Sequence, residues 1–118
     1  MLAGGRRPGY PSKRSTARET EAWIKHVREM GVRSVICLLE DRELHDYYGH
    51  HRIGLLERYR RHGLTVTHIP APDHCEPPVT SAHLEELRRD LGKLPKPWVI
   101  HCSAGLFRSW LAVQLLAT

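Results

Sequence analysis

The sequence predicts an α/β domain built on a parallel, about four-stranded sheet flanked by helices, and three observations predict it. Short runs rich in Val, Ile and Leu recur at Val32–Leu39, Leu64–Ile69 and Trp98–His101. Segments with helical spacing separate these runs, and strands alternating with helices imply parallel pairing with helices on both faces. Gly31, Gly63 and Gly92 close the helical segments, where glycine commonly ends a helix. At 118 residues and 13.6 kDa the chain has the size of one domain, residues 1–118, and neither a repeat nor a linker divides it.

The elements follow in order. Leu2-Ala3 suits a short edge strand, and Arg6-Arg7-Pro8-Gly9-Tyr10-Pro11 reads as a turn-rich stretch. Ser15 or Thr16 caps a first helix, with Glu19 three residues after Thr16 and Ala22, Trp23, Val27 and Met30 at helical spacing. Val32–Leu39 reads as a strand covered on both faces. Glu40–Tyr48 and Ile53–His62 read as two helices broken by Gly49-His50-His51, and Leu64–Ile69 as the next strand. The loop from Pro70 to Pro78 is stiffened by four prolines. Thr80 or Ser81 then caps a helix carrying Leu84, Leu87 and Leu91 on one face. Trp98–His101 is the last strand, and Leu106–Thr118 reads as a helix apolar on most sides, as a buried element is.

Composition excludes several classes. Hydrophobic residues at 41% and charged residues at 26% exclude a disordered chain. No run approaches the ~18–20 apolar residues needed to span a bilayer. Met1–Arg7 lacks the apolar core of a signal peptide, so no membrane or export role is expected. Cys37, Cys75 and Cys102 form no Cys-x-x-Cys pair, which argues against a disulfide framework or a zinc ribbon and for a reducing cytoplasm. A net charge of +5 favours anionic partners without choosing among phosphoproteins, nucleotides and RNA.

The chemistry lies in His101-Cys102-Ser103-Ala104-Gly105-Leu106-Phe107-Arg108-Ser109. This segment leaves a strand and enters a helix, and ligands of open parallel sheets bind beyond the carboxyl ends of the strands. A loop curling into a helix N-terminus aims successive N–H groups inward and forms an anion cradle. Gly105 permits the tight turn. Cys102, at the centre of such a cradle, is placed to react as a thiolate, the nucleophilic form. Arg108 offers a planar fork for two phosphate oxygens. The Ser109 hydroxyl is placed to hydrogen-bond the sulfur, and His101 to orient the loop from behind.

This segment resembles the His-Cys-x5-Arg-Ser/Thr signature of the protein tyrosine phosphatase superfamily, and the short chain is similar to its dual-specificity branch, in particular the kinase-associated group. Composition alone would produce the pattern about 2 times in 10,000. The resemblance implies a general acid on a separate loop upstream. Asp73, 29 positions before Cys102 in His68-Ile69-Pro70-Ala71-Pro72-Asp73, matches it. It also implies a phosphocysteine intermediate, with the backbone from Ser103 through Ala104, Gly105, Leu106 and Phe107 to Arg108 holding the phosphate. Neither a metal nor another cofactor is called for, because the loop supplies the positive field. The implied partner is a phosphorylated protein or another phosphomonoester, with RNA 5′-phosphate left open. Members of the family continue for several tens of residues after this loop. Without those helices, something else is expected over Leu106–Thr118: a partner chain such as a second copy forming a homodimer, a rearranged N-terminus, or a C-terminal part of a longer gene product. Trp110 stands where many relatives carry glycine, which alters packing beneath the loop.

Other readings stay beside these. Cys102 alone would read as a buried structural cysteine, and Asp73 alone as a turn residue. Two rival functions are a catalytically weak phosphate-binding module and a rhodanese-like sulfurtransferase. Cys37 reads as core and Cys75 as loop packing, with a protective disulfide as the sharper alternative for Cys75. Asp41 and Asp46 read as helix-start and surface charges, and His50, His51 and His74 as solvated. Arg58, Arg60, Arg61 and His62 read as a solvated helix face, with substrate attraction as the alternative. Arg6, Arg7, Lys13, Arg14 and Arg18 are candidates for the pocket mouth.

Overall fold

A computed structural model describes residues 2–70 and 81–103. Asp73, His74, Cys75, the stretch Ala104–Ser109, Trp110 and the helix expected over Leu106–Thr118 lie outside the described residues. The described elements are β1 (Leu2–Gly5), α1 (Ala17–Glu29), β2 (Ser34–Cys37), α2 (Asp41–Tyr48), α3 (Leu55–Arg61), β3 (Thr65–His68), α4 (Ser81–Leu91) and β4 (Trp98–His101). All strand pairings are parallel, in the order β1-β4-β2-β3. The α/β class and the four parallel strands therefore agree with the sequence reading.

Side-chain alternation along the strands builds a core on each face of the sheet. Val35, Cys37 and Val99 join Ile24 and Val27 of α1, Tyr48 of α2, and Leu55 and Tyr59 of α3. Ile36 and Ile100 turn the other way, onto Leu38, Ile69, Cys102 and Leu87 of α4. All four residues of β2 are buried, as expected of a strand covered on both sides. β2 and β3 are shorter than their apolar runs, although the N–H groups of Leu38 and Ile69 just past them still donate across to His101 and Cys37. Val32, Leu38, Leu39, Leu64 and Ile69 are all buried, yet lie outside the strand bounds.

Local signals set the helix ends. The Thr16 hydroxyl accepts the Glu19 N–H at 3.0 Å, and the Glu19 carboxylate accepts the Thr16 N–H at 3.0 Å, a complete capping box. Before this helix, residues 6–15 form a strap across the ends of α1 and α2. Its turn needs glycine at position 9, where φ is +78° and a Cβ would lie 2.5 Å from the Ser15 hydroxyl. Tyr48 donates its hydroxyl to the Pro8 carbonyl at 2.5 Å, and Trp23 donates its indole N–H to the Arg6 carbonyl at 3.1 Å. Burial pushes the Tyr48 hydroxyl up to about 12, so it serves as a neutral donor.

An ion-pair cluster joins α1 to α3. Glu21 accepts from Arg58 Nη1 at 2.6 Å and lies 2.5 Å from His62 Nε2. Burial pushes the Glu21 carboxyl up, but the bonds and charges of Arg58 and His62 outweigh it and hold the carboxyl below its usual value. A carboxylate lowered in the folded state adds stability above its unfolded value and loses it as pH falls through the folded one. Glu21→Gln is therefore expected to lower the urea midpoint at neutral pH. The variant's midpoint should also fall less steeply than that of the unsubstituted chain between about pH 5 and 3, which equilibrium unfolding across that range measures.

Candidate active site

β4 runs through the interior of the sheet, and its alternation decides what its end presents. Trp98, Ile100 and Cys102 face the α4 side, whereas Val99 and His101 face α1 and α3. The chain passes from β2 outward to β3, then returns through α4 to β4 on the opposite flank of β2. Such a reversal opens a crevice beyond the carboxyl ends of the two neighbouring strands, the usual ligand position in open α/β sheets. Cys37 pairs in register with His101, and the Leu38 N–H donates to the His101 carbonyl at 2.9 Å. Cys102 is the next residue and is only 2% exposed. The cysteine predicted as nucleophile thus lies just past the carboxyl end of β4, beside the reversal of strand order.

His101 is fully buried. Its Nδ1 lies 3.1 Å from the Cys102 carbonyl, which only accepts, so Nδ1 carries the proton toward it. In the neutral tautomer Nε2 then accepts the Tyr59 hydroxyl at 2.8 Å. Burial raises Tyr59 well above the usual phenol value, which keeps its proton available for that bond. The Trp23 indole stands edge-on to the imidazole, with ring centroids 5.4 Å apart. Sequence reasoning missed Tyr59 and Trp23 as supports of this residue. Their helical spacing marks them as inward-facing, but nothing local ties them to position 101.

Ser103 follows. Its carbonyl accepts the Arg7 N–H at 2.9 Å, and its hydroxyl accepts Arg7 Nε at 3.1 Å. Gly5 is in register with His101, so the Arg7–Ser103 contact continues the β1–β4 pairing past both strands. Arg108, Ser109 and Asp73 lie outside the described residues, as do Ala104, Gly105, Leu106 and Phe107.

Several expectations are corrected. Arg7, placed at the pocket mouth by its charge, is buried because its guanidinium stacks on Tyr47 at 3.8 Å and binds oxygens of the strap. Arg6, Lys13, Arg14 and Arg18 are exposed. His50 and His51 are not merely solvated: each donates Nε2 to the Ser15 carbonyl, at 2.9 and 2.5 Å. Arg58 and His62 are held by Glu21, while Arg60 and Arg61 lie near Glu57, so carboxylates offset the basic face of α3. Asp41 is nearly fully exposed at the start of α2, and Asp46 lies near Arg42, in line with their reading as surface charges. Cys37 lies in the core. Among the described residues, no group of three or more His, Cys, Asp or Glu side chains is placed to hold a metal ion.

The comparisons with known proteins identify the chain as a member of the tyrosine and dual-specificity phosphatase superfamily, with which its parallel α/β sheet agrees. A crystal structure of kinase-associated phosphatase, with its catalytic-site cysteine replaced by serine, superposes with a TM-score of 0.65 at 22% identity. It covers 98% of this chain and 62% of that one. The active form of Tk-PTP gives a TM-score of 0.59 at 25% identity, over 94% of this chain and 63% of that one. The mouse (Mus musculus) cyclin-dependent kinase inhibitor 3 is 33% identical over 107 residues, 88% of this chain. The chain spans 46% of that relative's length. The family profile of cyclin-dependent kinase inhibitor 3 matches residues 8–118, and the chain belongs to that family.

The Tyr59–His101 bond generates a stability prediction. Tyr59→Phe keeps the ring but removes the hydroxyl that donates to the buried His101 imidazole, which is expected to cost about 1–3 kcal/mol. Urea unfolding should show a lower midpoint at an unchanged m-value.

Proposed function

We propose that this chain is a cysteine-dependent phosphatase acting on phosphomonoesters in proteins. The observation that supports it most is Cys102 itself, buried one residue past β4 at the reversal of strand order, with Arg108 six residues later in sequence. The Cys102 sulfur attacks phosphorus in line. The phosphorus–oxygen ester bond breaks, its electron pair goes to the leaving oxygen, and Asp73 supplies the proton. Arg108 and the N–H groups from Ser103 to Arg108 hold the three equatorial oxygens while charge redistributes. Water then attacks the phosphocysteine and gives its proton to Asp73, and the phosphorus–sulfur bond breaks to return the thiolate. In this scheme His101 fixes the Cys102 carbonyl, and Ser109 stabilises the departing sulfur. No step calls for a metal, and the chemistry suits a reducing compartment such as the cytoplasm. Among the described residues no helix is long and apolar enough to cross a membrane.

The substrate proposed is a phosphorylated protein, carrying phosphotyrosine, phosphoserine or phosphothreonine. The names of the mouse relative, a cyclin-dependent kinase inhibitor, and of the kinase-associated phosphatase support a phosphorylated kinase as its class.

Turnover of para-nitrophenyl phosphate, inhibited by vanadate and indifferent to chelators, is the expected result. Cys102→Ser should abolish turnover, and Asp73→Asn should lower kcat by about 100-fold or more, the usual scale of general-acid catalysis. Full turnover by Cys102→Ser would overturn the mechanism. Vanadate affinity without product would favour a docking module, and thiosulfate-to-cyanide transfer without phosphatase activity a sulfurtransferase.

A further inference from the structure

Arg7 stands out as an arginine only 2% exposed whose donors are spread over two parts of the chain. Toward β4, its backbone N–H and its Nε hold the carbonyl and hydroxyl of Ser103 at 2.9 and 3.1 Å. Toward the strap, Nη1 reaches the Ser15 hydroxyl at 2.8 Å and Nη2 the Ser12 carbonyl at 2.7 Å. The guanidinium plane covers the Tyr47 ring at 3.8 Å. The strap is itself fixed, because Tyr48 holds the Pro8 carbonyl while His50 and His51 hold that of Ser15. Arg7 is therefore anchored on one side and grips the residue after Cys102 on the other.

The charge balance is unusual for a purely structural arginine. Taking a guanidinium out of water is costly unless a counter-charge accompanies it. Here hydroxyl and carbonyl oxygens satisfy its donors, and among the described carboxylates none forms an ion pair with it. Its charge is shared at longer range with Glu19, whose carboxyl is held below its usual value by its hydrogen bonds to Thr16 and, less strongly, by Arg7. It also stands beside Ser103, the first residue after Cys102.

We propose that Arg7 is a positioning residue for the phosphate site: its fork and backbone N–H fix Ser103, and so the path by which the chain leaves Cys102, while its positive charge favours a dianion bound there. The inference rests on the phosphatase reading of Cys102 and adds to it a residue outside the segment matched by the family profile. Geometry assigns the role to arginine rather than lysine. A single ammonium cannot bridge the Ser103 hydroxyl, the Ser15 hydroxyl and the Ser12 carbonyl along one plane.

The test measures kcat and KM for para-nitrophenyl phosphate, and inhibition by vanadate, in the unsubstituted chain, Arg7→Lys, Ser103→Ala and the double variant, with rates expressed per folded molecule. Arg7→Lys and Ser103→Ala should each lower kcat about tenfold, because small displacements of reacting groups act mainly on the transition state. KM should change by less than about threefold, and the double variant should fall little below the worse single one, since both remove one contact. A wild-type kcat in folded Arg7→Lys, or fully multiplicative losses in the double variant, would overturn the proposal. If Arg7→Lys does not fold, Ser103→Ala decides alone, and an unchanged kcat there overturns it. An unsubstituted chain that neither turns over nor binds vanadate would instead remove the phosphatase reading, and this inference with it.

Discussion

β4 is hydrogen-bonded on both sides, to β1 through the register of Gly5 with His101 and to β2 through that of Cys37 with His101. A strand held on both edges has almost no freedom to slip, because a shift by one residue would exchange the side chains on its two faces. Such a slip would turn His101 into the α4 cluster and Cys102 toward Trp23 and Tyr59. The double pairing therefore fixes both the position of Cys102 and the direction in which it faces. The strand ends are tied as well: the Leu38 N–H donates to the His101 carbonyl, and the Arg7 N–H donates to that of Ser103.

The two faces of β4 are built from different materials. On one, aliphatic side chains of Ile36, Leu38, Ile69, Leu87 and Ile100 surround Cys102. On the other, Tyr59, Trp23 and His101 form an aromatic and hydrogen-bonded set in which every bond depends on its neighbour. A buried polar set of this kind is favourable only when its groups are partnered. It gains a fixed imidazole, and through it a fixed Cys102 carbonyl. The strap of residues 6–15 adds a third support from outside the sheet. The site's rigidity thus draws on α1, α2 and α3 as well as on the strand that carries it.

Much of this was legible in the sequence. Thr16 and Glu19 announce their capping box because both partners lie within one turn, and alternating apolar residues in β2 and β4 announce two cores. Cys102 could be placed at a strand end because its run of Val and Ile stops there. Arg7 and the His50-His51 pair were not legible. A charged residue near a chain end reads as exposed, and the groups that cover Arg7 include Tyr47 and Ser103, the latter 96 residues later. The two histidines converge on a carbonyl 35 and 36 residues away. Contacts across such separations leave no local pattern. Of the basic residues of α3, Arg60 and Arg61 are exposed as read, whereas the pairing of Arg58 and His62 was hidden because their carboxylate belongs to α1.

The most direct test asks where phosphorus resides during turnover. The chain would be mixed with an aryl phosphate, quenched within a few turnovers by denaturant at neutral pH, and digested for peptide mass spectrometry. A phosphoryl group on the sulfur of Cys102, absent when vanadate is present, is the result that this account predicts. Continued release of product with position 102 unmodified at every quench time would contradict it.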